Sequence, residues 1–141
     1  MKAHNPFAAI TIWPANAIDA ESPPNDPPLF RDDYHELREQ CRTAVARREK
    51  SYPELVTAGR MDAEEADRDL AAWRELATEW HWIITGEGTL PSPETRPARI
   101  AAIDLAADRL EAEMARGRTS EFNLYQYYLL EALHWHLQPG R

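Results

Sequence analysis

The sequence predicts an all-α protein: an antiparallel four-helix array with an extra short helix and a Pro-rich, extended N-terminal arm. Three observations carry that expectation. Apolar residues recur at three- and four-residue spacing in four segments, the period of helices that each bury one face. Breaks containing glycine or proline separate those segments, and six of the eleven prolines crowd into the first thirty residues. The β-branched run AAITIW at 8–13 finds no second strand in the chain to pair with, and a lone strand is not stable. The expected organisation is an arm over 1–30 and a single helical domain over 31–141. A chain of 141 residues buries roughly two thirds of its unfolded surface, enough for one core.

In the arm, ESPPNDPPLF has φ fixed at four prolines and lacks their backbone donors, so it reads as extended. Phe7, Ile10, Ile12 and Trp13 are the residues with which the arm would lie along the helices; a free tail is the competing reading. The first helix starts at Asp32 or Asp33, either of which suits an N-cap, and runs to about Lys50. Its stripe is Tyr34, Leu37, Cys41, Ala44, Val45 and Arg48. In YPELVTAG, Pro53 suits the first position of a new helical turn and Gly59 suits leaving it. A short separate helix, with contacts from Tyr52, Leu55 and Val56, is therefore expected to reverse the chain.

Asp62 and Glu65 have capping-box spacing, and acids in a first turn complement the helix dipole. The second long helix then runs to about Thr85 on the stripe Ala66, Leu70, Trp73, Ala77, Trp80 and Ile84. GEGTLPSPETRP is a loop. A third helix from about Pro97 has the stripe Ile100, Ile103, Ala107, Leu110 and Met114. Its back carries Ala98, Ala101, Ala102, Leu105 and Ala112, and Gly117 ends it. Thr119 or Ser120 caps the last helix, which Pro139-Gly140 terminates. Phe122, Tyr125, Leu129, Ala132, Leu133 and His136 form one face of it, and Tyr127, Leu130, His134 and Leu137 another. That helix should be the most buried, or bury its second face in a partner such as a second copy of the chain.

The formal net charge is −8, which argues against direct binding of nucleic acid or anionic lipid, since both need a basic footprint. Residues 51–88 alone hold a net −6. No apolar run approaches the ~20 residues that cross a bilayer. The single cysteine, Cys41, cannot form an internal disulfide and reads as a small buried hydrophobe, so a cytoplasmic protein is expected. The start of the chain imitates a signal peptide, but Asn5-Pro6 and Trp13-Pro14 leave its apolar region too short.

Within YPELVTAGRMDAEEADRDLAAW, the residues Tyr52, Pro53, Leu55, Val56, Gly59, Arg60, Glu64, Glu65, Ala66 and Leu70 form a pattern that resembles small uncharacterised helical proteins of phages and prophages. The resemblance covers about 25 of the 141 residues. It implies a mobile-element origin and a helical hairpin, and it brings no activity and no catalytic residues.

Few motifs carry chemistry. Carboxylate-x-x-His occurs at Asp32–His35 and Glu131–His134, which is half of a di-metal carboxylate pattern, with Glu79 and His81 expected at the same end of the bundle. Asp32 also has the simpler role of a cap. His134 and His136 project from different sides of a helix and cannot share one ion. TGEGT lacks the lysine and the strand of a phosphate loop. No catalytic residue, cofactor or metal ligand is therefore assigned. Trp82 falls opposite the packing stripe, beside Glu64, Glu75 and Glu79, and such a tryptophan is either covered by the chain's own arm or anchors an interface. The expected function is that of a noncatalytic phage- or prophage-type accessory protein. It would bind a host or phage protein, with inhibition as one outcome, through Glu64, Glu75, Glu79 and Trp82, with Tyr127, Leu130 and Leu137 as a second surface. The alternatives are an enzyme or metal protein using the His/Glu/Tyr-rich bundle end, and an acidic mimic of nucleic acid. A solvated helix face is the simpler account of the acid.

Overall fold

The computed structural model describes residues 27–138. Among the described residues four helices make up the fold: α1 (Tyr34–Thr57), α2 (Ala63–Thr85), α3 (Arg96–Ala115) and α4 (Glu121–Leu137). No strand occurs among the described residues. Side-chain pairs fix the antiparallel sense. Arg42 meets His81 and Arg48 meets Asp69 across α1 and α2, while Asp104 meets His134 and Glu111 meets Tyr127 across α3 and α4. The expected arm anchors Phe7, Ile10, Ile12 and Trp13 and the Pro139-Gly140 stop lie outside the described residues. The end of the expected arm is described from Pro27, and there Phe30 takes a left-handed φ of 69°. That conformation strains a bulky residue, and the ring stacking edge-on against Tyr125 at 5.2 Å offsets it.

One expected element is different. Residues 53–57 do not form a separate short helix; they are the last turn of α1, with Pro53 inside it. A proline inside a helix removes a donor and crowds the carbonyl four residues back, a cost of ~3 kcal/mol without compensation. Here the helix is held on the near side of the proline by Tyr52, which is buried and bonded to α2. On the far side, Val56 lines the α1–α2 groove with Ala63, Ala66 and Leu70. The short helical element instead lies at Pro93–Thr95, a single 3-10 turn ahead of α3, capped by Ser92 Oγ accepting from the Glu94 N–H.

The helix ends follow local chemistry. Gly59 at φ 71° closes α1 with a paired motif: its N–H donates to the Val56 carbonyl and the Arg60 N–H to that of Leu55. Gly117 repeats the motif after α3, on Met114 and Glu113, so both helices leave few unsatisfied carbonyls at the reversal. Asp62 accepts from the Glu65 N–H at 3.1 Å and Ser120 from that of Asn123 at 3.1 Å. Asp33 occupies the N-cap position of α1 but makes no capping bond through its side chain.

The core joins Leu37, Cys41 and Ala44 of α1 to Trp73, Leu76 and Trp80 of α2, Ile103 of α3, and Leu129, Leu130 and Leu133 of α4. On α2 the buried line is Ala66, Asp69, Trp73, Leu76 and Trp80. Leu70, Ala77 and Ile84 lie to one side of it, half-buried. α4 holds seven buried residues in 17, so most of both apolar faces is consumed within the chain, and Phe122 at its start is left exposed. α3 is less enclosed, with Ala98, Ala101 and Ala112 exposed.

Candidate functional site

The acidity of the first hairpin divides into a structural part and a free part. Asp69 is buried, and its Oδ2 accepts from Arg48 Nε at 2.8 Å and from the Tyr52 hydroxyl at 2.5 Å. The Arg48 guanidinium also lies 4.9 Å from the centre of the Trp73 ring, so charge, hydrogen bond and π-face are satisfied together. Burial pushes the Tyr52 hydroxyl above its usual range, the bond to Asp69 adds to this, and Arg109 beside it works in the opposite direction.

Glu75 and Glu79 belong to a second knot. Arg99 of α3 is buried, and its guanidinium stands 3.2 Å from Glu75 and 3.3 Å from Glu79 while Nη1 donates to Thr95 Oγ1 at 2.7 Å. Burial pushes the Glu79 carboxyl up, and Arg99 pulls it back only in part. Glu79, at 16 % side-chain exposure, is thus a helix-packing residue. Its expected place on an open acidic face is corrected, and Glu75 is shared between that face and Arg99. Much of the remaining acid faces solvent: Glu64, Glu65 and Asp67 are exposed, and so is Asp62, which caps α2.

Trp82 is outward, 39 % exposed, and among the described residues it makes no ring contact. Ile83 beside it is 36 % exposed. The last turn of α2 and the first turn of α1 enclose a hollow of ≈ 480 Å³ in which Tyr34, Ile83 and Ile84 are the apolar wall and Asp32, Asp33 and Glu36 the carboxylates. Glu36 accepts a bond from the Tyr125 hydroxyl and Asp32 pairs with Arg31. Tyr34 is held in place from behind by edge contacts with Trp80 and His136. Along the outer side of α2, Trp82 and Glu64 are separated by ~27 Å at 1.5 Å per residue.

The second expected surface does not survive. Leu130 and Leu137 are in the core, because α4 is wrapped by both α3 and α1, and neither is available to a partner. Tyr127 is half-buried, its hydroxyl donating to Glu111 at 2.9 Å; burial first, then that bond, pushes its ionisation up.

Three histidines at the bundle end are tied to the fold, while His35 is exposed on the lining of the hollow. His81 Nδ1 accepts from Arg38 and Arg42, which leaves the ring proton on Nε2, donated to Glu87. His136 Nε2 donates to the Arg31 carbonyl at 2.7 Å and its ring packs against Trp80 and Trp135. His134 stands 3.4 Å from Asp104. Among the described residues no three His, Cys, Asp or Glu side chains are grouped to hold a metal ion, and no helix is long and apolar enough to cross a membrane. Cys41 is fully buried, and burial, with the Glu79 charge behind it, pushes its thiol far up.

No protein-family model matches the sequence significantly, and neither does any curated protein or solved structure.

The sequence could have revealed the two buried arginine–carboxylate knots in part. Arg48 lies on the apolar stripe of the first helix, and Asp69 falls three residues after Ala66 and four before Trp73, which is the core face. Arg99 has the same signal, three residues before Ala102 and four before Ile103, but nothing local in the sequence pairs it with Glu75 and Glu79.

Proposed function

We propose that the chain is a noncatalytic binding protein, an accessory protein of the phage or prophage kind, that takes a basic protein segment at the α1–α2 end and hinders the partner by occupying it. What supports the reading is one observation above the others: the hollow that begins one residue past Trp82 on α2 combines exposed Tyr34 and Ile83 and half-buried Ile84 with the Asp32, Asp33 and Glu36 carboxylates and His35. An apolar wall with an acidic border complements a segment that carries one large apolar side chain among lysines or arginines. The aromatic and aliphatic groups supply lasting affinity by desolvation, and the carboxylates orient the encounter. The free acid around Glu64 extends the same charge along the outer side of α2, over the ~27 Å that a standard interface spans.

The test is capture of a basic partner by the full chain and by three variants, Asp33→Lys, Glu64→Lys and Trp82→Ala, at low and at physiological salt. The two charge reversals should slow association and flatten its salt dependence, and Trp82→Ala should accelerate dissociation by tenfold or more, as loss of an anchor worth ~2 kcal/mol would. Unchanged association, salt dependence and dissociation in all three variants would defeat the reading.

A further inference from the structure

A second cleft lies between α1, α3 and α4, where the Arg48 knot approaches the surface. It has a volume of ≈ 220 Å³. Arg47 and Arg109 stand at its mouth, Arg48 and Trp73 are in its wall, and Leu110 and Leu130 complete an apolar floor. In a chain of net charge −8, three arginines lining one cleft are against the trend. Their charges are not all cancelled. Arg48 is matched by Asp69, and the one carboxylate of the lining, Glu113, is paired with Arg118. No ion pair involves Arg47 or Arg109 among the described residues.

Gln40, Asn123 and Gln126 add side-chain amides to the lining. The Trp73 side chain is fully buried, yet its indole N–H has no hydrogen-bond partner among the described residues. An orphaned buried donor is costly, and such groups in native proteins call for an explanation. The indole nitrogen itself has no accessible surface, so a ligand oxygen in the cleft would meet the guanidiniums, whose planar forks match carboxylate and phosphate oxygens, and would be sensed by the Trp73 N–H only at second hand, through the Arg48 guanidinium that lies over its ring. The volume is below that of a drug-sized pocket, so the ligand is small, and the Leu110–Leu130 floor calls for an apolar body behind its anionic head.

We infer that the Arg47–Arg109 cleft, with the orphaned Trp73 indole in its wall, is a binding site for a small organic oxyanion, a carboxylate or phosphate carried on an apolar body. The site is separate from the hollow beside Trp82 and does not depend on it. It is tested by titrating the full, isotope-labelled chain with phenyl phosphate, phenylacetate and inorganic phosphate while following the indole N–H resonances by NMR, with Trp73 assigned through Trp73→Phe. At least one of the two organic anions should move the Trp73 resonance saturably, and should bind at least tenfold more tightly than inorganic phosphate. Arg47→Ala and Arg109→Ala, both at exposed positions, should each weaken that binding by about tenfold, the value of one charge-assisted contact. Arg60→Ala, on the hairpin turn, should not. The inference is overturned if neither organic anion saturates by about 10 mM, if inorganic phosphate binds as well as they do, which would mean an adventitious ion only, or if the arginine variants bind as the parent does.

Discussion

Replacing Asp69 by Ala removes the one carboxylate that both Arg48 and the Tyr52 hydroxyl use. Its side chain is 6 % exposed and that of Arg48 14 %, so water reaches the orphaned guanidinium only along one edge. Breaking a fully buried pair by deleting one partner costs ~3–5 kcal/mol, and partial access places Arg48 at the low end of that range. The buried Tyr52 hydroxyl, left without its acceptor, adds about 1 kcal/mol. The substitution should therefore cost about 3–4 kcal/mol, a large share of the roughly 5–15 kcal/mol typical of a folded domain. Asp69→Asn keeps an acceptor oxygen and should cost about half as much. Asp67→Ala, two residues away and exposed, should move stability by less than about 0.5 kcal/mol. Urea unfolding followed by circular dichroism measures all three, and the slope with denaturant should stay constant. A loss below about 1 kcal/mol for Asp69→Ala would refute the reasoning, because Arg48 would then be finding full hydration and the knot would not be holding α1 to α2.

Trp80→Ala should cost ~3–5 kcal/mol as a large-to-small change in the core, while the exposed Trp82→Ala should cost less than about 1 kcal/mol; the two denaturation midpoints decide. Cys41, fully buried with its thiol pushed up, should resist a thiol-specific reagent in the native protein and react at once in denaturant; rapid native labelling would show that the α1 core opens readily. Burial and a carboxylate neighbour raise Tyr125 to about 12, and Tyr52, Tyr127 and Tyr128 are raised too. The unfolded chain therefore loses these protons first, so the stability they contribute is present below the ordinary tyrosine value and is lost as the pH rises from about 10. A melting temperature that is flat between about pH 10 and 12 would contradict those environments.

Four helices, their approximate ends and the burial of Trp73 and Trp80 are legible in the sequence because spacing and caps are local properties. The expected break at Pro53 fails because a local rule loses there to a tertiary one: Tyr52 is anchored to Asp69 seventeen residues on, and no local pattern contains that bond. The acidic hairpin is legible as composition and misleading as a surface. A count of charges along the chain treats Glu79 and Glu64 alike, but Arg99 arrives from another helix to claim the first and leaves the second in solvent. Both faces of α4 are apolar as expected, and only the packing of α3 and α1 around them decides that Leu130 and Leu137 are core. The arginine cleft is invisible in the sequence because Arg47 and Arg109 are 62 positions apart.

The central claim, that a basic segment docks beside Trp82, is tested most directly by a photocrosslinking amino acid. It is introduced in place of Trp82 in one version of the full chain and of Phe122, exposed on α4, in another. Each version is irradiated with the captured partner. The account predicts a covalent adduct from position 82, mapping to a lysine- or arginine-rich stretch of the partner, and none from position 122. Adducts from position 122 alone, with the partner still bound, would contradict it.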